Sequence, residues 1–177
     1  MLSAPIIAAT LGFVALCMAS DVRARRIPNL ISGVGMLAGI LLNTAYFGTE
    51  GLIASLAGVL VTVALLLAPF AMGGLGGGDV KMMGAIGALL GLRVTLAGLL
   101  VGVALGGVIM AIHLVRLGRL RQTLVTVGTM VSASISLCSL EPLRVSAAHP
   151  DAITLPYSVP LGIGTLVVLA VSGSAGL

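Results

Sequence analysis

Aromatic side chains are scarce in this sequence, which contains no tryptophan, three phenylalanines and two tyrosines. Proteins that bind single-stranded nucleic acid stack the bases on aromatic side chains, and many membrane proteins place tryptophan and tyrosine at the two membrane interfaces. Neither use can be extensive here. The scarcity therefore argues against nucleic-acid binding and predicts a weak interfacial aromatic belt.

Charged residues are also few. They make up 8% of the 177 residues, whereas 59% are hydrophobic, and the mean hydropathy is +1.25. Soluble domains are about one quarter charged. The composition therefore predicts an all-α, polytopic integral membrane protein, with one domain over 1–177.

Cysteine is rare as well, since only Cys17 and Cys138 occur and they lie far apart. A structural zinc site needs four ligands, which closely spaced cysteine pairs commonly supply. The number of cysteines excludes such a site, and we expect neither a metal nor a cofactor.

Six apolar runs are expected to form helices. A helix needs about 20 residues to cross a hydrocarbon core of roughly 30 Å. The expected helices cover about 2–20, 29–46, 52–72, 79–92, 94–115 and 155–171. The run 79–92 is too short to cross, so its first residues should lie below the membrane surface in a wet cavity or within protein. The first run is expected to be retained, because no Lys or Arg precedes it as in a signal peptide.

The basic residues predict the orientation of these helices. With the N-terminus outside, only Arg93 falls on the outer side, and the other Lys and Arg residues fall inside, as is typical of cytoplasmic loops. The inner residues are Arg23, Arg25, Arg26, Lys81, Arg116, Arg119, Arg121 and Arg144. Their clusters also suit contact with anionic lipids. A cytoplasmic or re-entrant segment is expected over about 116–152, and whether 122–140 is re-entrant, interfacial or spanning stays open.

A glycine-rich stretch, Gly73-Gly74-Leu75-Gly76-Gly77-Gly78-Asp79-Val80-Lys81, separates two apolar runs. Ionisable side chains next to apolar segments persist mostly where they face a cavity, pair with a partner or perform chemistry. Gly76 and Gly78 lack side-chain bulk, so backbone or substrate could approach the Asp79 carboxylate closely. Close helix packing is the commoner use of glycine in membranes. A phosphate-binding loop is disfavoured because no Ser or Thr follows the lysine.

Two carboxylates, Asp21 and Asp79, lie at helix ends on the same predicted side, whereas the other three acidic residues fall in expected loops. Two carboxylates a few Å apart do not both ionise readily, so one can activate water while the other donates a proton. The pair predicts hydrolysis without a metal. A proton-coupled small transporter remains an alternative, because membrane aspartates also relay protons, and so does a non-enzymatic assembly protein.

Three short motifs carry a resemblance to a known family. Gly76-Gly77-Gly78-Asp79 followed by Lys81 resembles the Gly-x-Gly-Asp motif of intramembrane aspartyl proteases. Asp21 with Ile27-Pro28-Asn29 is similar to the first catalytic aspartate region of type IV prepilin peptidases. Leu155-Pro156-Tyr157 resembles the Pro-Tyr-Gly element of that family, with Ser158 in place of the glycine. The short chain is similar to the branch that serves tight-adherence (Flp) pili.

The resemblance implies a multi-pass aspartic endopeptidase of the bacterial inner membrane that cleaves the leaders of prepilins and pseudopilins at the cytoplasmic face. It implies Asp21 and Asp79 as the catalytic residues. The residues expected to shape the site are Gly76, Gly78, Lys81, Pro28 and Asn29. Family members that also act as N-methyltransferases carry two Cys-x-x-Cys pairs, which this chain lacks, so that activity is not expected.

Specific roles follow for three of the site-shaping residues. Side chains two residues apart on a helix, as in Asp79 and Lys81, do not face each other. Lys81 should therefore act as a cytoplasmic anchor or as a charge whose field tunes the site. Pro28 suits the start of a helix, and Asn29 should cap that helix or bond to Asp21. The oligomeric state and the exact prepilin substrate stay open.

Overall fold

The computed structural model describes residues 3–72, 74–118 and 157–174, together with isolated residues between 121 and 132. Within these ranges the chain forms four helices, α1 (Ala4–Ala24), α2 (Asn29–Ala71), α3 (Gly77–Arg116) and α4 (Ser158–Ser174). Helices α1, α2 and α3 are long and apolar enough to cross a membrane. The chain is therefore a helical membrane protein, as its composition predicts. Most of the segment expected over 116–152 lies outside the described residues.

The buried face of α1 explains where Asp21 points. Buried side chains recur every three or four residues, which is the spacing of one helical face. They are Ile6, Thr10, Phe13, Val14, Cys17 and Asp21. Asp21 continues this face towards the end of the helix. The helix ends at Arg25, whose backbone is left-handed (φ 49°) and whose N–H donates to the Asp21 carbonyl oxygen at 2.7 Å.

Helix α2 is 43 residues long and folds back on itself at Gly48. Gly48 has φ 61° and ψ −139°, a conformation that glycine adopts because it has no Cβ. The two arms then touch, since a Cβ at Gly51 would lie 2.0 Å from the carbonyl oxygen of Asn43. A straight helix would separate these two residues by about 12 Å.

Helix α3 folds back in the same way at Gly91 (φ 71°, ψ 177°). Every residue from Met82 to Leu90 in its first arm is buried, so other helices surround this arm. The second arm packs closely on α4, where a Cβ at Gly164 would lie 2.3 Å from the backbone nitrogen of Gly102. The bend falls shortly before the exposed Arg93, at which the sequence predicts it.

Two polar side chains bind carbonyl groups near the bend at Gly91. The Asn43 amide nitrogen lies 3.0 Å from the carbonyl oxygens of both Ala88 and Leu89. The Ser55 hydroxyl donates to the Ala88 carbonyl at 2.8 Å. Carbonyls in the last turn of a helix have no helical partner, and such breaks are tolerated at membrane depth when neighbouring groups supply one. Asn43 and Ser55 therefore tie both arms of α2 to the first arm of α3.

The sequence predicts six helices, whereas the described ranges contain four. The difference arises because each glycine bend joins two arms with no loop between them. The predicted first, second and last helices begin within a few residues of α1, α2 and α4.

The two bends bring the charged helix ends together. Contacts among the end of α1, both ends of α2, the last turns and the start of α3 and the start of α4 place these helix ends at one end of the bundle, which we call the carboxylate end. Gly48 and Gly91 lie at the opposite end. Described basic residues at the carboxylate end are Arg23, Arg25, Arg26, Lys81 and Arg116, and Arg93 lies near the opposite end.

Candidate active site

Asp21 is held at the carboxylate end by two helices. Its side chain is 9% exposed and belongs to the inward face of α1. The hydroxyl group of Ser158, the first residue of α4, donates a hydrogen bond to the Asp21 Oδ2 atom. Ser158 is fully buried. The position of the Asp21 carboxylate is therefore set by α1 and α4 together.

Asp79 is positioned by the start of α3, where it lies in the first turn and is 8% exposed. Gly76 is the residue before the helix, and its carbonyl accepts the Asp79 N–H at 3.1 Å. The Asp79 carboxylate in turn accepts a hydrogen bond from the backbone of Gly76. Asp79 is the third residue of the helix, and its carboxylate reaches back to the capping residue as the third residue of a capping box does, although Gly76 has no side chain to complete the box. Helix geometry thus fixes the direction of the Asp79 side chain.

The two aspartates line one cavity of about 320 Å³ and lie close enough to interact electrostatically. The residues around the cavity are Asp21, Arg25, Arg26, Ile27, Gly76, Gly77, Gly78, Asp79 and Lys81. Two carboxylates are therefore surrounded by three cations and by glycine backbone. Such a cavity can admit an extended peptide chain, and its paired carboxylates can transfer protons to and from a bound water.

The glycines at positions 76 and 78 differ in the space around them. A Cβ at Gly76 would lie 3.0 Å from the Asp79 Oδ2 atom, which is tighter than an ordinary contact. A Cβ at Gly78 would lie 3.4 Å from the Ile27 side chain, which is ordinary van der Waals contact. Of the two glycines, Gly76 is the one at which a Cβ would crowd the Asp79 carboxylate.

Lys81 and Asn29 pair with each other at the mouth of the site. Lys81 lines the cavity and donates a hydrogen bond from Nζ to the Asn29 Oδ1 atom at 2.8 Å. The expectation that Asn29 caps α2 is wrong, because Pro28 is the capping residue and no side-chain cap bond is formed there. Asn29 joins the start of α2 to the start of α3 instead. Pro28 immediately precedes the helix and does not line the cavity.

Sequence reasoning missed Ser158 as a partner of Asp21. The signal was present, because Ser158 stands where the motif that it resembles has glycine, and a residue with a hydroxyl group can hydrogen-bond where glycine cannot. The sequence favours membrane topology as the main role of Arg25 and Arg26, yet both line the cavity. Nothing in the sequence alone indicates that the bend after α1 turns them towards Asp79.

Metal ligands do not cluster in the part of the chain that the structure describes, where no group of three or more His, Cys, Asp or Glu side chains is arranged to bind an ion.

Comparison with known proteins bears on the same region. The model of the type IV leader peptidase family matches residues 8–112, a range that includes both aspartates and the glycine-rich stretch. Searches of curated proteins and of solved structures gave no match.

Proposed function

Because the chain belongs to the type IV leader peptidase family, we propose that it is an aspartic endopeptidase that removes the leader from type IV prepilins and pseudopilins. The proposal assigns catalysis to Asp21 and Asp79. The observation that supports it most directly is that these two carboxylates, from helices far apart in the sequence, line the same cavity and interact. The short chain favours prepilins of the tight-adherence type as substrates.

The chemistry needs only the two carboxyl groups and one water. One carboxylate removes a proton from water as the water oxygen bonds to the carbonyl carbon of the scissile peptide bond, and the other, protonated carboxyl donates its proton to the carbonyl oxygen. The tetrahedral diol then breaks at its C–N bond. The first carboxyl protonates the leaving nitrogen, and the second carboxylate recovers a proton from the diol. The pair ends with one proton, as it began.

The arms of the bundle suit cleavage near the membrane surface. From Gly77 to Leu90 the first arm of α3 measures about 20 Å, at ~1.5 Å per residue, which is less than a hydrocarbon core of roughly 30 Å. Asp79 at its start should therefore lie below the level of the longer helices. We propose that the substrate enters this recess with an extended segment next to its own apolar helix.

The charge distribution supports an orientation with the cavity towards the cytoplasm of the bacterial inner membrane. Described cations gather at the carboxylate end, and Arg93 lies near the opposite end, which agrees with the excess of positive charge in cytoplasmic loops. Helices α1 and α4 and both arms of α2 and α3 would each make one pass, and the short first arm of α3 would start in the recess and run from there to the opposite side of the membrane. This gives six crossings with the N-terminus outside.

The test is cleavage of a prepilin by the purified protein. A tight-adherence prepilin is incubated with the protein in detergent or liposomes, and the N-terminus of the product is sequenced. We expect one cut before the substrate's apolar helix. Asp21→Asn and Asp79→Asn should each abolish cleavage while the protein still accumulates in the membrane, because Asn preserves volume and hydrogen bonding but not acid-base function.

Glu50→Gln is the matched control, because Glu50 is exposed near Gly48, at the end of the bundle opposite the carboxylate end, and does not line the cavity. The Glu50→Gln protein should cleave the leader at the wild-type rate. Near-normal processing by either aspartate variant would show that the two carboxylates do not act as the catalytic pair.

A further inference from the structure

Ser158 makes an unusual contact for the first residue of a helix. Its hydroxyl proton goes to the Asp21 carboxylate, 137 positions away in the chain, and its side chain is fully buried. A serine hydroxyl has a single proton to donate. The donor is therefore committed to a group in the proposed active site.

The geometry around Ser158 favours a stable contact. Ser158 begins α4, and α4 is held on α3 by backbone packing at Gly102, where a Cβ would lie 2.7 Å from the Leu161 Cα atom. The Leu161 N–H bonds to the Tyr157 carbonyl at 3.2 Å, which closes the first turn. The hydroxyl is thus presented by a packed helix start and not by a loose segment.

An oriented carboxylate matters for acid-base chemistry. Catalytic groups work when they are held within about 0.5 Å and 10–20° of the productive geometry, and neighbouring hydrogen bonds provide this restraint. Asp79 has its restraint from the backbone of Gly76. Ser158 supplies the corresponding restraint for Asp21.

We propose that Ser158 is a positioning residue for the peptidase reaction, whose hydroxyl holds the Asp21 carboxylate in its working orientation towards Asp79 and the scissile bond. This inference rests on the proposed function. A glycine at this position would leave Asp21 without the donor, so the restraint is a feature of this chain's own sequence.

The experiment compares kcat and KM for leader cleavage in four proteins. Ser158→Ala removes the donor, and we expect kcat to fall about ten- to hundredfold, the loss typical of a hydrogen bond to a charged group, with KM within about twofold of wild type. Ser158→Thr retains a hydroxyl and should recover most of the lost kcat. Thr165→Val is the matched control, because Thr165 is a buried residue of α4 whose hydroxyl bonds to Leu161 in its own helix.

A second measurement does not depend on cleavage. Infrared difference spectra of protein labelled with ¹³C-aspartate, taken between wild type and Asp21→Asn, isolate the carboxylate bands of Asp21. Ser158→Ala should shift these bands, and Thr165→Val should leave them in place. This measurement also covers the case in which the extra methyl group of Ser158→Thr does not fit the buried site.

The inference is overturned if Ser158→Ala cleaves with wild-type kcat or leaves the Asp21 bands unshifted. If the wild-type protein cleaves no leader but Ser158→Ala still shifts the Asp21 bands, the proposed function is overturned and the Ser158–Asp21 contact is retained.

Discussion

The stability of the protein should depend on one backbone carbonyl in the first arm of α3, because two side chains bind it. The Ala88 carbonyl accepts from Ser55 at 2.8 Å and lies 3.0 Å from the Asn43 amide nitrogen, which lies equally close to the Leu89 carbonyl. Ser55→Ala leaves Ala88 with Asn43, and Asn43→Leu leaves Ala88 with Ser55 but Leu89 with no side-chain donor. Only the double variant removes both donors from Ala88. The two substitutions should therefore be non-additive.

The magnitudes follow from these partners. Ser55→Ala should lower the free energy of unfolding by about 0.6 kcal/mol, the average for a hydrogen bond between membrane helices. Asn43→Leu should lower it by about 1–3 kcal/mol, the cost of leaving one buried acceptor unsatisfied. The double variant should exceed the sum by roughly 1–2 kcal/mol, since the Ala88 carbonyl then becomes a second unsatisfied acceptor.

The assay is reversible denaturant unfolding in lipid–detergent micelles for the wild type, both single variants and the double variant. Thr10→Val combined with Asn43→Leu is the control pair, because the Thr10 hydroxyl bonds to Ile6 in its own helix. The effects of these two substitutions should add. If the Ser55 and Asn43 variants also add within about 0.3–0.5 kcal/mol, the Ala88 carbonyl is not shared in the way that the structure indicates.

Three further predictions concern the site. Gly76→Ala should lower kcat several-fold, because its Cβ would lie 3.0 Å from Asp79 Oδ2. Gly78→Ala, whose Cβ would make ordinary contacts, should cleave nearly as fast as wild type. Equal effects in the two variants would contradict this prediction. The kcat/KM for cleavage should fall on both sides of a pH optimum, because low pH protonates the base and high pH removes the shared proton; a plateau extending well above neutral pH, in a protein that stays folded, would rule out a shared proton. In a cysteine-free background, Ala24→Cys should react with a reagent applied from the cytoplasm and Thr49→Cys with one applied from outside; reversed labelling would place the cavity on the wrong side for leader cleavage.

Much of the membrane architecture could be predicted from local sequence. Apolar runs and their lengths predict helices because a bilayer leaves the backbone few other ways to bond its polar groups. The bends were harder to locate. The sequence suggested a turn at 48–51 and one near Arg93, but the bends at Gly48 and Gly91 depend on a positive φ that a glycine permits and only packing selects.

The site divides in a similar way. The two aspartates could be picked out from the sequence, because a carboxylate beside an apolar run is costly in a membrane and persists mostly where it has a function. The partners of those aspartates were not. Asn29 bonds to Lys81 and not to its own helix, and Ser158 bonds to Asp21 across most of the chain. Contacts of this kind have no local signature, because they depend on which helix ends meet.

By itself, the amino-acid sequence determined that this is a membrane protein, the existence and approximate bounds of its helices, and the two carboxylates to which the proposed function assigns catalysis. Composition and periodicity carry that information because they reflect the free energy of each segment in lipid. The tertiary structure alone decided that both aspartates line one cavity, that Arg25 and Arg26 face it, and that Ser158 holds Asp21. Those outcomes depend on the close approach of helices at glycines such as Gly102, where α3 meets α4, and Gly162, where α4 meets α1. Close approach is a property of two surfaces, which no single stretch of sequence contains.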